Sequence, residues 1–238
     1  MFKLTVLLIA ATLLLNVSAW SQKKFSLSAF AGSGFSFFGG PGAVSSSNYY
    51  RNGLAFPNEV DTMAQPYGKK PFPNFLAGIQ ADVTLSKWIL SISSQYENTG
   101  GSLTGDSIIT PSGSIKANGK YTRNYDFISI NPQVGRIIVQ KTITFALHTG
   151  IDYTSKLAMG NQFDYTDQNG IKNSVGYSGG EPEINDVRIT VGVSAAIKKW
   201  SIFINYKHGL ANYNPSGENV YSRLLQIRIQ YTFLSKLI

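Results

Sequence analysis

Apolar residues recur at every second position through most of this chain, and that period restricts it to strands with two chemically different faces. The pattern is sharpest in 223–233, where Leu225, Ile227, Ile229, Tyr231 and Phe233 share one parity and Gln226, Arg228, Gln230 and Thr232 the other. Segment 186–197 sets Val187, Ile189, Val191, Val193, Ala195 and Ile197 against Arg188, Thr190, Gly192 and Ser194. Segment 74–85 sets Phe75, Ala77, Ile79, Ala81, Val83 and Leu85 against Gly78, Gln80, Asp82 and Thr84. Looser alternation marks 24–34, 88–99, 121–139, 142–156 and 200–211, which makes eight strands, most of 11 or 12 residues. A strand crossing a tilted membrane path needs about 9–11 residues, against about 5–6 in ordinary globular sheets.

The connections sharpen the reading. Ser86-Lys87, Gln140-Lys141 and Lys198-Lys199 are short, whereas 35–73, 100–120, 157–185 and 212–222 are long, and the two kinds alternate strictly. A membrane barrel segregates short periplasmic turns from long external loops in this way, with both termini on the turn side, and a soluble sandwich has no reason to. The expected fold is therefore all-β: an eight-stranded antiparallel transmembrane β-barrel with short periplasmic turns and long extracellular loops. Eight of the nine prolines fall in the long loops, where they remove no ladder hydrogen bond. The ninth, Pro132, lies in 121–139, whose outward phase carries Arg136 toward lipid close to a turn. Either the position near the interface keeps that cost to about 0–1 kcal/mol, or a bulge at Pro132 to Gly135 resets the phase.

The first residues bear on compartment. Met1 to Lys3 give a basic start, Leu4 to Leu15 an apolar run interrupted by Thr5 and Thr12, and Val17, Ser18 and Ala19 a small-residue cleavage region. The run is too short for a spanning helix, so 1–21 reads as a secretory signal peptide, cut after Ser21 or Ala19, and 22–238 as one barrel domain. The absence of cysteine excludes disulfide staples, thiol catalysis and thiolate metal sites. The net charge of +8 is scattered rather than gathered into a basic arm, so lipid phosphates fit it better than nucleic acid.

Aromatic placement suggests two girdles at water–lipid boundaries: Phe25, Trp88, Trp200, Tyr231 and Phe233 at the turn ends, and Tyr96, Tyr125, Tyr153, Tyr206 and Tyr213 at the loop ends. Four stretches carry a family likeness. They are the N-terminal strand from Phe25 through Ser-Leu-Ser-Ala-Phe-Ala-Gly, the run from Tyr125 to Gly135, Asn205-Tyr-Lys-His-Gly-Leu, and the closing Gln226-Ile-Arg-Ile-Gln-Tyr-Thr-Phe. Together they resemble the small eight-stranded barrels grouped as PorT-like or outer membrane protein beta-barrel domain proteins. The likeness is one of pattern over nearly the whole mature chain; Leu234 to Ile238, after Phe233, depart from the usual ending. It implies the architecture and an outer-membrane location, with a place in protein secretion as one option.

The inward parity supplies Asp82, Glu97, Asp152, Arg188, Lys207 and Arg228, three acids and three bases for a paired polar interior, since buried charges must be paired. His148 points inward and His208 outward, and neither has a Ser and an acid that local spacing ties to it. Gly32-Ser-Gly lacks the third glycine of a dinucleotide loop and a following helix. Asp164, Asp167 and Asn169 could at most brush a cation. No catalytic, metal or cofactor site is expected. The function expected is a structural, docking or envelope-assembly role, with a lipid-modifying barrel enzyme or a soluble exported β-sandwich or lipocalin-like binder as alternatives. Expected partners are outer-membrane lipids and lipopolysaccharide, the barrel-assembly machinery, and other envelope proteins through loop 35–73 with Tyr49, Tyr50, Arg51, Asn52 and Tyr67.

Overall fold

All regular structure among the described residues is β. The computed structural model describes residues 23–50, 62–110, 113–177, 185–215 and 217–237. The leader expected over 1–21 lies outside them, as do Arg51 and Asn52. The strands are β1 (Lys23–Gly39), β2 (Ser46–Tyr50), β3 (Thr62–Met63), β4 (Phe72–Leu85), β5 (Trp88–Thr110), β6 (Gly113–Gln140), β7 (Thr144–Thr166), β8 (Lys172–Tyr177), β9 (Asn185–Ile197), β10 (Trp200–Gly209) and β11 (Tyr221–Leu237).

Eight of them form a closed ring. β1 pairs with β4, and the pairing continues through β5, β6, β7, β9, β10 and β11 back to β1, antiparallel at every step. The ring leaves no open edge, because β1 is bonded on one side from Lys23 to Ser36 and on the other from Lys24 to Gly39. Each of the eight overlaps one of the strands expected from the sequence, although β7 starts at Thr144 rather than 142 and β10 ends at Gly209 rather than 211. Two of the short turns are Ser86-Lys87 and Lys198-Lys199, where Ser86 (φ 55°) and Lys198 (φ 53°) take the positive φ that two-residue hairpins demand. The third differs by a residue: Gln140 ends β6 and the turn is 141–143.

Alternation dictates what the ring presents. Inward positions carry Ser, Gln, Asn and charged groups, almost all buried. Outward positions carry Ile79, Ile130, Ile151, Ile189, Ile204, Ile227 and their neighbours, exposed by about half or more (44–63%). Arg136 does point outward, its guanidinium 5.3 Å over the Trp88 ring. No bulge lies at Pro132 to Gly135; β6 shifts register at Asp126/Phe127 and Ile137/Val139 instead. Pro132 sits opposite Ile92, and its own carbonyl passes so close to Gly150 that a Cβ there would come within 2.3 Å of it.

The long connections are the main departure from expectation. The described parts of 100–120 and 157–185 are not free loops: β5 and β6 stay paired from Trp88↔Arg136 to Thr110↔Gly113, and β7 continues to Thr166 and folds back as β8. Glu97–Thr110 alone adds roughly 45 Å of strand path at about 3.3 Å per residue. β2 joins this extension parallel to β5, and β3 pairs with β2. The sheet has its own apolar core of Tyr49, Met63, Leu103, Ile108, Ala117, Tyr121, Phe163 and Tyr165. Phe163 stacks between Tyr49 (4.7 Å) and Tyr165 (5.0 Å). Gly105 and Gly119 make room for it, since a Cβ at either would come within 2.3 and 2.6 Å of the ring. Tyr49 and Tyr67, expected on an exposed recognition loop, are buried; Tyr50 is half-buried. Phe163→Leu should loosen the extension by about 1–2 kcal/mol. Limited proteolysis would then cut within 100–120 or 157–177 while the ring stays intact; equal cleavage of both regions would show that the two cores are one.

Candidate functional site

The interior is built in layers along the ring axis. On the loop side of the midpoint, Glu97 from β5, Asp152 from β7, Arg188 from β9 and Lys207 from β10 converge, all buried. Lys207 Nζ bridges Glu97 Oε2 (2.9 Å) and Asp152 Oδ2 (2.8 Å). Arg188 Nη1 donates to Glu97 Oε1 and lies 3.8 Å from Asp152 Oδ2. Gln95 (2.7 Å) and Gln226 (3.3 Å) donate further hydrogen bonds to Glu97 Oε2. Five strands, β5, β7, β9, β10 and β11, are thereby tied across the lumen. Taking these charges from water costs several kcal/mol per ion, and the mutual pairing offsets that cost.

The other two expected members behave differently. Asp82 and Arg228 are both buried but make no direct ion pair. Asp82 Oδ1 accepts from Gln80 (2.7 Å) and Ser91 (2.6 Å). Arg228 donates to Gln80 Oε1 (2.7 Å), and its guanidinium carbon lies over Phe203 (4.2 Å) and Phe30 (4.5 Å). Gln80 thus connects the two through its amide, and the cation is shared with aromatic faces.

Sequence reasoning missed Asp186. It is fully buried at the loop-side end of β9, where Oδ2 accepts from Arg188 Nε (2.9 Å), the Tyr213 hydroxyl (3.0 Å) and Ser222 (2.7 Å), and Oδ1 from the Ala211 amide (3.1 Å). It pins the 210–220 connection across the ring. Its parity was legible, but it lies where alternation gives way to a loop, and parity alone does not flag an end residue.

Above this layer, aromatics seal the loop side. Phe38, Tyr67, Tyr125, Phe127 and Tyr213 form one buried cluster with Met159 and Val220. Tyr125 and Tyr213 therefore do not belong to the outer girdle; both turn inward, because odd positions of β6 face the lumen and 210–220 folds over the mouth. The Tyr67 hydroxyl donates to the Tyr213 carbonyl, and the Arg123 guanidinium stacks 4.8 Å over Tyr67. Of the remaining loop-end aromatics, Tyr153 and Tyr206 are exposed on the outside, with Phe35 and Phe75, and Tyr96 is half-buried 5.5 Å from Phe75; near the turns Trp88, Trp200, Tyr231 and Phe233 are exposed and Phe25 is half-buried.

The turn side is open instead. A polar cavity of about 330 Å³ reaches this mouth, bordered by Lys24, Lys141 and Lys198 and floored by Asp82, His148 and Phe203. His148 is buried and its Nε2 is 2.8 Å from Ser194 Oγ. The local sequence did not reveal that contact, which spans two strands. No carboxylate meets Nδ1, which faces Gly135 closely enough that a Cβ there would fall 2.6 Å away. His208 is half-exposed, Nδ1 3.3 Å from the Tyr206 hydroxyl. No group of three His, Cys, Asp or Glu among the described residues could hold a metal ion. Asp164 accepts from Ser174 (2.7 Å) and Gln162 (2.9 Å), bonds that hold its carboxyl below the usual range. Asp167 is spent on the Asn169 and Ile171 amides of its turn.

No protein-family model matches the chain, and no curated protein matches it. Among solved structures, Neisserial surface protein A is similar at a TM-score of 0.44 and 11% identity, covering 88% of this chain and 99% of its own. The translocator domain of the autotransporter NalP from Neisseria meningitidis reaches a TM-score of 0.24 and 10% identity, covering 97% and 96%. Neither likeness is close enough to add to what the strand pairing establishes. The chain is a closed ring of eight antiparallel strands.

Proposed function

We propose that this chain is an outer-membrane β-barrel of a Gram-negative envelope with a structural, docking or assembly role and no catalysis. One observation carries the reading: the ring is inverted. Its charged and amide side chains are buried inside while aliphatic side chains encircle the outside, an arrangement that water penalises and hydrocarbon favours. The aromatics at both ends of that belt, and Arg136 and Lys199 lying over Trp88 and the Tyr231 ring (6.0 Å), support the same placement at lipid boundaries. Outer-membrane lipids, lipopolysaccharide and the barrel-assembly machinery are the partners this reading requires. The PorT-like likeness and a cleaved leader over 1–21 belong to it. Docking to other envelope proteins falls to the paired extension.

The test is heat-modifiable mobility of the protein from purified outer membranes. A faster band before boiling in detergent is the expected result; identical bands with the protein in the aqueous fraction would overturn the reading and favour an exported soluble binder. Among the described residues, the His148–Ser194 contact is the feature favouring a barrel enzyme. With no acid to orient the imidazole, the triad logic is incomplete, and His148→Ala should leave lipid A acylation unchanged. A changed acylation pattern would reverse that assignment.

A further inference from the structure

We propose that the turn-side cavity is a binding cup for a small hydroxylated anion, a sugar carrying one carboxylate or phosphate, presented from the periplasm. The proposal rests on the barrel reading for its orientation. The lumen is no through-passage: the Phe38–Tyr67–Tyr125–Tyr213 cluster fills one end, and the Glu97–Arg188–Asp152–Lys207 layer lies beneath it. What remains is blind and opens on one side only. Its volume, about 330 Å³, lies at the small end of the usual range for ligand sites, about 300–1,000 Å³.

Charge defines the first half of the ligand. The turn-side rim carries Lys23, Lys24, Lys87, Arg136, Lys141, Lys198, Lys199 and Lys236, and the acid nearest to it among the described residues is Asp82, buried in the cup. Five of these cations fall into two sets. Arg136 and Lys199 lie over outward aromatics. Lys24, Lys141 and Lys198 border the cavity, and the parity of β1 and β9 turns Lys24 and Lys198 toward the lumen. Ammonium groups that face away from the lipid side are free for a soluble anion. Asp82 makes no ion pair with them; its Oδ1 accepts from Gln80 and Ser91, and the charge of Arg228, hydrogen-bonded to the same Gln80, offsets its own.

The walls define the second half. Hydroxyls of Ser26, Thr144, Ser194 and Thr232 and the amides of Gln80 and Gln230 line the cup. Gln230 is 3% exposed, and its Oε1 accepts no hydrogen bond. A buried acceptor left unpaired costs about 1–3 kcal/mol, so a rotation of the Gln230 amide toward the cup would give a ligand hydroxyl a partner. Phe203 supplies an apolar surface beside these groups. A bare anion would leave the walls unused, and a neutral sugar would leave the three lysines unused.

Isothermal titration of the full barrel in detergent tests the proposal with glucuronic acid, glucose 6-phosphate, glucose, inorganic phosphate and a short polyglutamate as probes. The two anionic sugars should bind, and glucose and phosphate each at least about tenfold more weakly. The triple variant K24A/K141A/K198A should lose roughly tenfold or more in affinity, while K23A/R136A/K199A, which removes the same charge from the outer rim, should keep it. Heat-modifiable mobility measured on each preparation verifies closure. Closed barrels that bind neither anionic sugar overturn the cup alone. So does phosphate or polyglutamate binding as well as the sugars, or binding indifferent to the inner triple variant. A wild-type chain with no heat shift overturns the barrel reading and the cup with it.

Discussion

Glu97→Ala is expected to destabilise the barrel by about 3–5 kcal/mol, measured by urea unfolding in lipid vesicles. Glu97 receives Lys207, Arg188, Gln95 and Gln226 at once, and its loss takes one carboxylate partner from each of two buried cations. The lower end of the range applies, because Lys207 keeps Asp152 (2.8 Å) and Arg188 keeps Asp186 (2.9 Å). Replacing the pair together, Glu97→Leu with Lys207→Met, should recover most of the loss, since burying a charge pair is itself costly. A single variant within 1 kcal/mol of wild type, on the order of an exposed ion pair, would mean that water reaches this layer and screens it.

The second large effect is on the outside. Ile204, 44% exposed, lies in β10 between Trp200 and Tyr206, near the middle of the aliphatic belt. Ile204→Arg should cost about 2–4 kcal/mol of folding stability in vesicles, and Ile197→Arg, beside the Lys198 turn, about 0–1 kcal/mol. In a protein whose outer face meets water, both substitutions would be near-neutral surface changes of about ±0.5 kcal/mol. The difference between the two positions measures depth, which composition and exposure alone do not.

How far the sequence could be read depended on periodicity. Where alternation runs clean, as in 186–197 and 223–233, strand, face and inward residues all follow from parity, and Arg188, Lys207 and Arg228 lie inside as expected. The extension escaped notice because 100–120 is rich in Gly, Ser and Thr with few large apolar residues to mark a face, and because in 157–166 the apolar parity of Leu157, Met159, Phe163 and Tyr165 is broken by Asn161. Their core rests on a few rings, Phe163 above all, and on Tyr49 brought in from a distant segment. Partner identity inside the lumen was equally out of reach. Parity placed Asp82 and Arg228 within the ring, but only the cross-strand register shows that Gln80 stands between them and that Asp186 joins Arg188. His148 and Ser194 lie 46 residues apart and meet only because β7 and β9 are neighbours.

The β1–β11 seam has a consequence for how the chain assembles. Its ladder joins residues near the two ends of the chain, as in Lys24↔Leu237, whereas the β4–β5 and β9–β10 ladders spring from two-residue turns and the β5–β6 ladder closes at Thr110↔Gly113. Loop-closure entropy favours the near pairs first. Hairpins therefore zip early and the seam comes last, so that the final event is a curved, nearly complete sheet meeting its own opposite edge. Until that moment β1 and β11 are both unsatisfied edges, open to pairing with whatever strand the membrane machinery offers. Sequence changes confined to this seam should act on the rate of completion more than on the hairpins that precede it.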